Sequence, residues 1–580
     1  MLDQILYAYV NEDYEKCLAY SQAYLQDDPK SALEYASLAS FKMQDYDKTI
    51  FYTEQIFKQS PTTFFGLILA KSYLAKSRFD EALKLLNILL ERKDLLNNEI
   101  MFELAFVYKS LGDFYKAEEM FLALLKEQEY NLNLWKHYAE LYFKSDYAKS
   151  LKLHDQIYTI AQEMIAKLQN QKNSNNNQNS SLNLEDRLYA KTKENADIEK
   201  IKNFIYKQIL PQKAYLLFKL YDLENSLKLY DFLQEYNQDN AAFWQNYAKA
   251  LEFSTNYQEA YEAYSKALKL HSHATYAFDL AYLLMRVGNF EEGVRMYESR
   301  LFYANSQTFS AHHYNQSLQA FNKLGIKAFE DKNILVFCEQ GFGDTIMYSR
   351  CLQKLSQIAK KVLFAPQSAM YRLFKNSLKD TQILQNFKNM KVLKDFPAEF
   401  DFAIPICSLP LFCSISMDEL STLKTPIKAL EKINNKKKKI GIFWFTPSAY
   451  DSDIARNLDL DFLLNSLKDL PFELVSFQIQ GDFNLPKNIE NRAKLIKDWE
   501  DTFNHLADID CVISIDSAIA HLSLALKIPT IVLLAPRFDW RWGKFESPKS
   551  AFWPDANLLV FGAYEQTKKQ LQELVKNILK

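Results

Sequence analysis

The sequence predicts a chain of class α plus α/β, in which an N-terminal solenoid of helical hairpins precedes a region built on largely parallel sheets. Three observations carry that prediction. A frame of small and aromatic residues recurs through the first half. Beyond residue 330 short apolar runs alternate with amphipathic segments, the pattern of βα units. The length of 580 residues also exceeds what one hydrophobic core serves, so at least two structural units are expected.

In the helical half the frame reads Ala70, Tyr73, Ala82, then Ala105, Tyr108, Ala117, Phe121; downstream it reads Trp244, Ala248, Ala260, Tyr264, Ala267, then Ala281, Gly293, Tyr297. Antiparallel helices approach closely only where small side chains meet, and aromatics fill the grooves beside them. The positions resemble the tetratricopeptide repeat, whose period is ~34 residues. About eight units are expected over residues 1–302, with weaker members around Cys17, Thr49, Ser150 and Ser226. One hairpin alone leaves an apolar face uncovered, so the units are expected to stack. The Asn-rich tract at 169–183 has almost nothing to bury and reads as a disordered insertion. A solenoid of this kind presents an extended groove, and the expected partner is a protein or peptide. Residues 303–330, with His312 and His313, read as a linker rather than as metal ligands.

Composition removes several classes of function. Lys plus Arg number 70 against 72 Asp plus Glu, so nothing in the overall charge points to nucleic acid. The six cysteines are scattered and lack the close spacing of a zinc or redox motif. No secretory leader opens the chain and no run reaches the ~18 apolar residues of a membrane-spanning helix, so a cytoplasmic protein without a transmembrane segment is expected.

In the second half the strand candidates are 333–337, 361–364, 400–404, 440–445, 473–477, 511–515 and 530–534, and the lysine run at 436–439 divides them into lobes at 331–435 and 436–580. Two strand ends stand out. Gly341-Phe342-Gly343-Asp344 follows the first strand and uses two of only 11 glycines, which points to a bare backbone at a helix start, where anions bind. Asp516-Ser517-Ala518, with His521 one turn on, follows the strand at 511–515 in the same way. Ser517 and the amides after it suit a diphosphate, and Asp516 suits sugar or ribose hydroxyls. A long loop at 535–554, rich in Trp, Arg and Pro, follows the strand at 530–534. The bland alternative for the second motif is an Asp N-cap with a histidine on the helix face.

Three blocks, 338–352, 508–534 and 535–554, together with the repeats, resemble bacterial proteins that fuse tetratricopeptide repeats to a domain similar to the heptosyltransferases of glycosyltransferase family 9. The resemblance implies the GT-B architecture, a pair of Rossmann-like lobes facing a cleft, with a nucleotide-sugar donor as substrate and no metal or other cofactor. It implies Asp344 as the catalytic base and a donor site formed by Gly341, Gly343, Arg456, Asp516, Ser517, Ala518, His521, Arg541 and Lys544. It further implies transfer of a sugar to an acceptor such as flagellin or another surface protein, delivered by the repeats. The alternatives are an inactive scaffold that keeps the fold, and a metal-dependent enzyme using Asp451-Ser452-Asp453 as its acidic pair.

Overall fold

The computed structural model describes the chain apart from residues 94, 179–196, 303–308, 435, 448–455, 469 and 482, and gives the backbone alone at 171–178 and 309–312. The chain forms two compact units, Met1–Gln238 and Asp239–Lys580. Among the described residues no helix is long and apolar enough to cross a membrane.

The first unit is a tetratricopeptide-like series of antiparallel helical hairpins, from Leu2–Val10 with Tyr14–Tyr24 to Leu210–Lys219 with Leu223–Leu233. The small residues of the frame sit where helices meet: Ala70, Ala82, Ala105 and Ala117 are all fully buried. Where serine replaces alanine, its hydroxyl is satisfied by the facing helix. Ser150 Oγ donates to Ala139 O at 3.0 Å and Ser226 Oγ to Ala214 O at 2.8 Å, so the weaker units bury a polar atom without leaving it unpaired. Asp13, Asp45, Asp113 and Asp222 cap second helices by accepting the amide three residues on. The Asn-rich tract begins as helix, because Tyr147–Gln178 runs into it; the remainder of the tract lies outside the described residues.

The second unit opens with two further hairpins, Ala241–Phe253 with Tyr257–Leu270 and Ala274–Val287 with Phe290–Tyr297. The repeat pattern thus runs on to 297, whereas the packing boundary falls at 238/239. The segment expected as a linker is also structural. It carries the helix Phe309–Leu324 and a 3-10 turn, Gly325–Phe329, whose Tyr314, Phe321 and Phe329 are buried around Phe412. Three apolar aromatics at helical spacing bury enough surface to make this segment part of the first lobe's core.

Two parallel sheets follow. The first has β1 (Asn333–Phe337), β2 (Lys361–Ala365), β3 (Met390–Val392) and β4 (Phe402–Pro405) in the order β3-β2-β1-β4. The second contains β5 (Lys439–Phe443), β6 (Glu473–Ser476), β7 (Glu490–Asn491), β8 (Cys511–Ile515), β9 (Thr530–Leu534) and β12 (Asn557–Val560) in the order β12-β9-β8-β5-β6-β7. A short antiparallel hairpin, β10 (Gly543–Lys544) with β11 (Ser547–Pro548), projects from the loop after β9. In each sheet the chain winds outward from its first strand and then returns to that strand's other side. The reversal lies between β1 and β4 in one sheet and between β5 and β8 in the other, and such crevices are where open α/β sheets hold ligands. The lysine run ends in the second lobe's sheet: Lys439 begins β5 and bonds Asp508 at 2.8 Å, and Lys438 bonds Asp510 at 2.9 Å.

Candidate functional site

Both reversal points open on one cleft of about 500 Å³, lined from the first lobe by Gly341, Phe342, Gly343, Asp344 and Ala369 and from the second by residues that include Arg456, Asp516 to Ile519, His521 and Arg541. That volume is in the range of small-molecule sites.

On the first-lobe side the helix Phe342–Ser349 has Gly341 as its N-cap residue and Asp344 in its first turn. Asp344 Oδ2 accepts the Gly341 N–H at 3.1 Å, and Oδ1 accepts a short bond from Arg541 Nη2. Both carboxylate oxygens therefore have partners. Gly343 has a role that its place in the sequence did not suggest. A Cβ there would stand 2.8 Å from His521 Cδ2 and 3.5 Å from Ala518 Cα, so the bare backbone admits the other lobe rather than a ligand.

On the second-lobe side every residue of β8 is buried, which fixes the register of the turn at its carboxyl end. Ser517, not Asp516, caps the helix Ala518–Ala525: its Oγ accepts the Ala520 N–H at 3.5 Å and shares a 2.7 Å bond with Ser514 Oγ. The Ala518 and Ile519 amides precede the first intrahelical bonds and have no partner among the described residues, so the positive helix end faces the cleft. Asp516 is largely buried, and burial raises its pKa above the ordinary carboxylate range although Arg456 opposes the shift. Arg456 Nη1 lies 3.8 Å from Asp516 Oδ2. Its neighbour Asn457 is stitched to Thr446 after β5 by two reciprocal bonds, Thr446 N to Asn457 Oδ1 at 2.8 Å and Asn457 Nδ2 to Thr446 O at 3.1 Å.

His521 is buried, stacked on Trp542 at 5.2 Å between ring centroids, and held neutral: burial, then the charge of Arg541, push its pKa down to about 3. Trp553 Nε1 lies 2.9 Å from His521 Nδ1. An indole N–H only donates, so Nδ1 accepts and the ring proton sits on Nε2, which is 3.9 Å from Asp516 Oδ1. Arg541 comes from the 3-10 turn Trp540–Trp542, whose N-cap is Asp539. Its guanidinium is shared between Asp344 and Asp539 Oδ2, the latter at 2.8 Å. Burial works against that charge, but the two carboxylates hold it protonated well above the usual arginine range.

Lys544 is not brought to the cleft. It lies in β10, with its ammonium 5.9 Å from the Tyr257 ring, because the turn at Gly543 directs the chain away after Trp542. Asp451, Ser452 and Asp453 lie outside the described residues. Sequence reasoning missed Phe342, Trp499, Lys497 and Gln480, which also line the cleft. Phe342 and Trp499 meet across the lobes at 5.5 Å between centroids. Lys497 and Asp498 lead into the helix Trp499–His505, which Trp499 opens; only the fold assigns this stretch to the cleft. Among the described residues no group of three or more His, Cys, Asp or Glu is placed to hold a metal ion.

No protein-family model matches the chain, and no curated protein matches it in sequence. Solved structures resemble part of it. A tetratricopeptide repeat protein from Parabacteroides merdae aligns with 47% of this chain and 93% of its own at 12% identity and a TM-score of 0.34. The assembly chaperone of RpL4 aligns with 45% of this chain and 98% of its own at 15% identity and a TM-score of 0.31. The C-terminal part of a TPR repeat-containing protein from Cytophaga hutchinsonii aligns with 48% of this chain and 96% of its own at 9% identity and a TM-score of 0.31.

Proposed function

We propose that the second unit is a GT-B-type glycosyltransferase that takes a nucleotide sugar and passes the sugar to an acceptor, as the sequence resemblance to family 9 implies. One observation supports the reading above the others. The crevices of two separate parallel sheets converge on a single cleft, and its end carries two arginines and the unpartnered amides of a helix start. A diphosphate is the ligand group that uses all of these at once, because it offers several charged acceptor oxygens to forked guanidiniums and backbone N–H groups. The neutral Nε2–H of His521 adds a fixed donor, and Asp516 adds an acceptor for a sugar or ribose hydroxyl.

In this reading Asp344 takes the proton from an acceptor hydroxyl while that oxygen attacks the anomeric carbon. The bond from the anomeric carbon to the diphosphate oxygen breaks, and the departing charge falls to Arg456, Arg541 and the amides at 518 and 519. The helical hairpins recruit a polypeptide acceptor, for which flagellin or another surface protein is the class suggested by the resemblance. A second reading, a sugar-nucleotide-binding scaffold without turnover, is favoured by the bonds of both Asp344 oxygens, to the Gly341 N–H and to Arg541, which give that carboxylate a structural role without turnover.

Thermal-shift screening of the full chain against nucleotide sugars separates these readings from neither being right. A ligand at 100 times its dissociation constant adds ~2.7 kcal/mol to stability. With the donor so identified, Asp344→Asn is expected to reduce transfer ~100- to 10,000-fold while binding persists. Binding without transfer by the wild-type chain leaves the scaffold, and no binding by any nucleotide sugar removes both.

A further inference from the structure

We propose that Arg286, on the helix Ala274–Val287 of the last repeat hairpin, is a positioning residue that holds Arg541 at the anion-binding end of the cleft. The inference rests on the diphosphate reading of that cleft and names what builds it. Arg541 lies between Phe538 and Gly543, and the carbonyls of both are held by one guanidinium: Arg286 Nη2 donates to Phe538 O at 3.0 Å and Nη1 to Gly543 O at 2.9 Å. The remaining edge, Nε, donates to Glu252 Oε1 at 2.9 Å, and Glu252 Oε2 accepts the Tyr264 hydroxyl at 3.0 Å.

The pair is almost wholly buried, with Arg286 and Glu252 side chains 4% and 6% exposed. The Phe545 ring lies 3.9 Å from the guanidinium carbon. Tyr257 of the neighbouring helix adds a second tie, donating its hydroxyl to Glu546 Oε2 at 2.7 Å and accepting the Phe545 N–H at 3.3 Å.

Burying an ion pair contributes little net stability compared with apolar side chains of the same volume, so the placement calls for another account. What Arg286 supplies that an apolar residue cannot is geometry. Its planar fork brackets both ends of the segment that carries Arg541, and lysine, with a single ammonium, cannot reach two carbonyls and a carboxylate in that plane. At its far end the segment packs its bare backbone closely against Lys549. Gly543 sits at φ +91°, and a Cβ there would stand 2.6 Å from Lys549 O. With both ends fixed, the Trp540–Trp542 turn aims Arg541 into the cleft before any ligand arrives, which lowers the ordering cost of binding.

The test uses the full chain and calorimetric titration with UDP, GDP, CDP and ADP, each beside its parent nucleoside. For the diphosphate that binds, Arg286→Lys is expected to weaken affinity about tenfold or more, while affinity for the nucleoside stays unchanged, since only the phosphates meet Arg541. Arg541→Met is expected to do the same, and the double variant to bind no more weakly than Arg541→Met alone, the signature of a residue that acts through another. Should Arg286→Lys fail to fold, Glu252→Gln carries the same cycle. Additive losses, equal losses for nucleoside and diphosphate, or wild-type affinity in the variant overturn the inference and leave the cleft reading standing. A wild-type chain that binds none of the four diphosphates overturns both.

Discussion

Ser110 and Arg286 occupy the same place in the repeat, five residues beyond the small residues Ala105 and Ala281, yet Ser110 is exposed and Arg286 is 6% exposed in the fold. The hairpins of the first unit obey the repeat and little else: small residues where helices meet, and capping aspartates such as Asp222 at the turns. Those of the second unit keep the small residues and add buried charge. Arg286, paired with Glu252, reaches the loop after β9, and at the end of the last hairpin Arg300 bonds Glu298 at 2.8 Å, Glu339 at 2.7 Å and the Ser408 hydroxyl at 2.7 Å. A repeat that departs from its pattern by burying a charge is packed against something other than another repeat.

The largest expected effect that sharpens this contrast is at Arg300. Burial opposes its charge, and Glu298 and Glu339 hold it, so Arg300→Met strands two carboxylates in a dry site. A loss of about 3–5 kcal/mol is expected. Hydrogen exchange read by mass spectrometry should place that loss in Asp239–Lys580 and leave protection in Met1–Gln238 unchanged. Equal loosening of both units would abolish the distinction.

Acid provides an intermediate effect. His521 has a folded pKa of about 3, below the ordinary 6.5, so the folded state disfavours its charged form. Its contribution is complete above pH 6.5 and declines as the pH falls toward 3. In the first unit, Glu118 is lowered to about 2: burial works against the shift, but the hydroxyls of Tyr142 and Tyr138 and the Lys149 ammonium outweigh it. That contribution is complete above 4.5 and declines as the pH falls toward 2. Between pH 6.5 and 4.5 the His521 contribution should therefore decline while that of Glu118 is still complete. His521→Asn keeps an acceptor for Trp553, and the stability gap between wild type and this variant should narrow over that window in urea titrations. A gap that is constant with pH would mean that His521 is not held neutral.

The smallest effect compares the turns. Asp222 accepts the Asn225 amide, whereas Asn289, at the equivalent place in the last hairpin, makes no cap bond. Asp222→Ala should cost about 1 kcal/mol and Asn289→Ala only a few tenths in the same urea titrations. Equal costs would show that caps, unlike buried charges, do not distinguish the two sets of hairpins.

Much of this is legible in the residues alone. The strands at 333–337, 511–515 and 530–534 begin and end where the sequence places them, because fully buried parallel strands write themselves as unbroken apolar runs. Met390–Val392 and Glu490–Asn491 escape notice because strands so short carry no period. The repeat frame locates the hairpins but not the packing boundary, since periodicity reports what a helix is and not what covers it. Within the cleft, Asp344, Arg456, Asp516, Ser517, Ala518, His521 and Arg541 come together, as do Gly341 and Gly343. The reason for Gly343 differs from the expected one, because a missing Cβ looks the same in sequence whether a phosphate or a histidine needs the room. Lys544 is carried out of the cleft by one residue of turn at Gly543, and Trp499 is invisible in the sequence because its neighbours along the chain say nothing about the opposite lobe.

The buried guanidiniums of Arg286 and Arg300 also bear on how such a chain can change over generations. Joined by a flexible tether, repeats and sheets could be exchanged as independent cassettes, each drifting at its own pace. Here recombination at residue 302 or 331 would pair Phe538, Gly543, Glu339 and Ser408 with a foreign helix lacking the matching cations, so the last two hairpins and the lobes must be inherited as one piece.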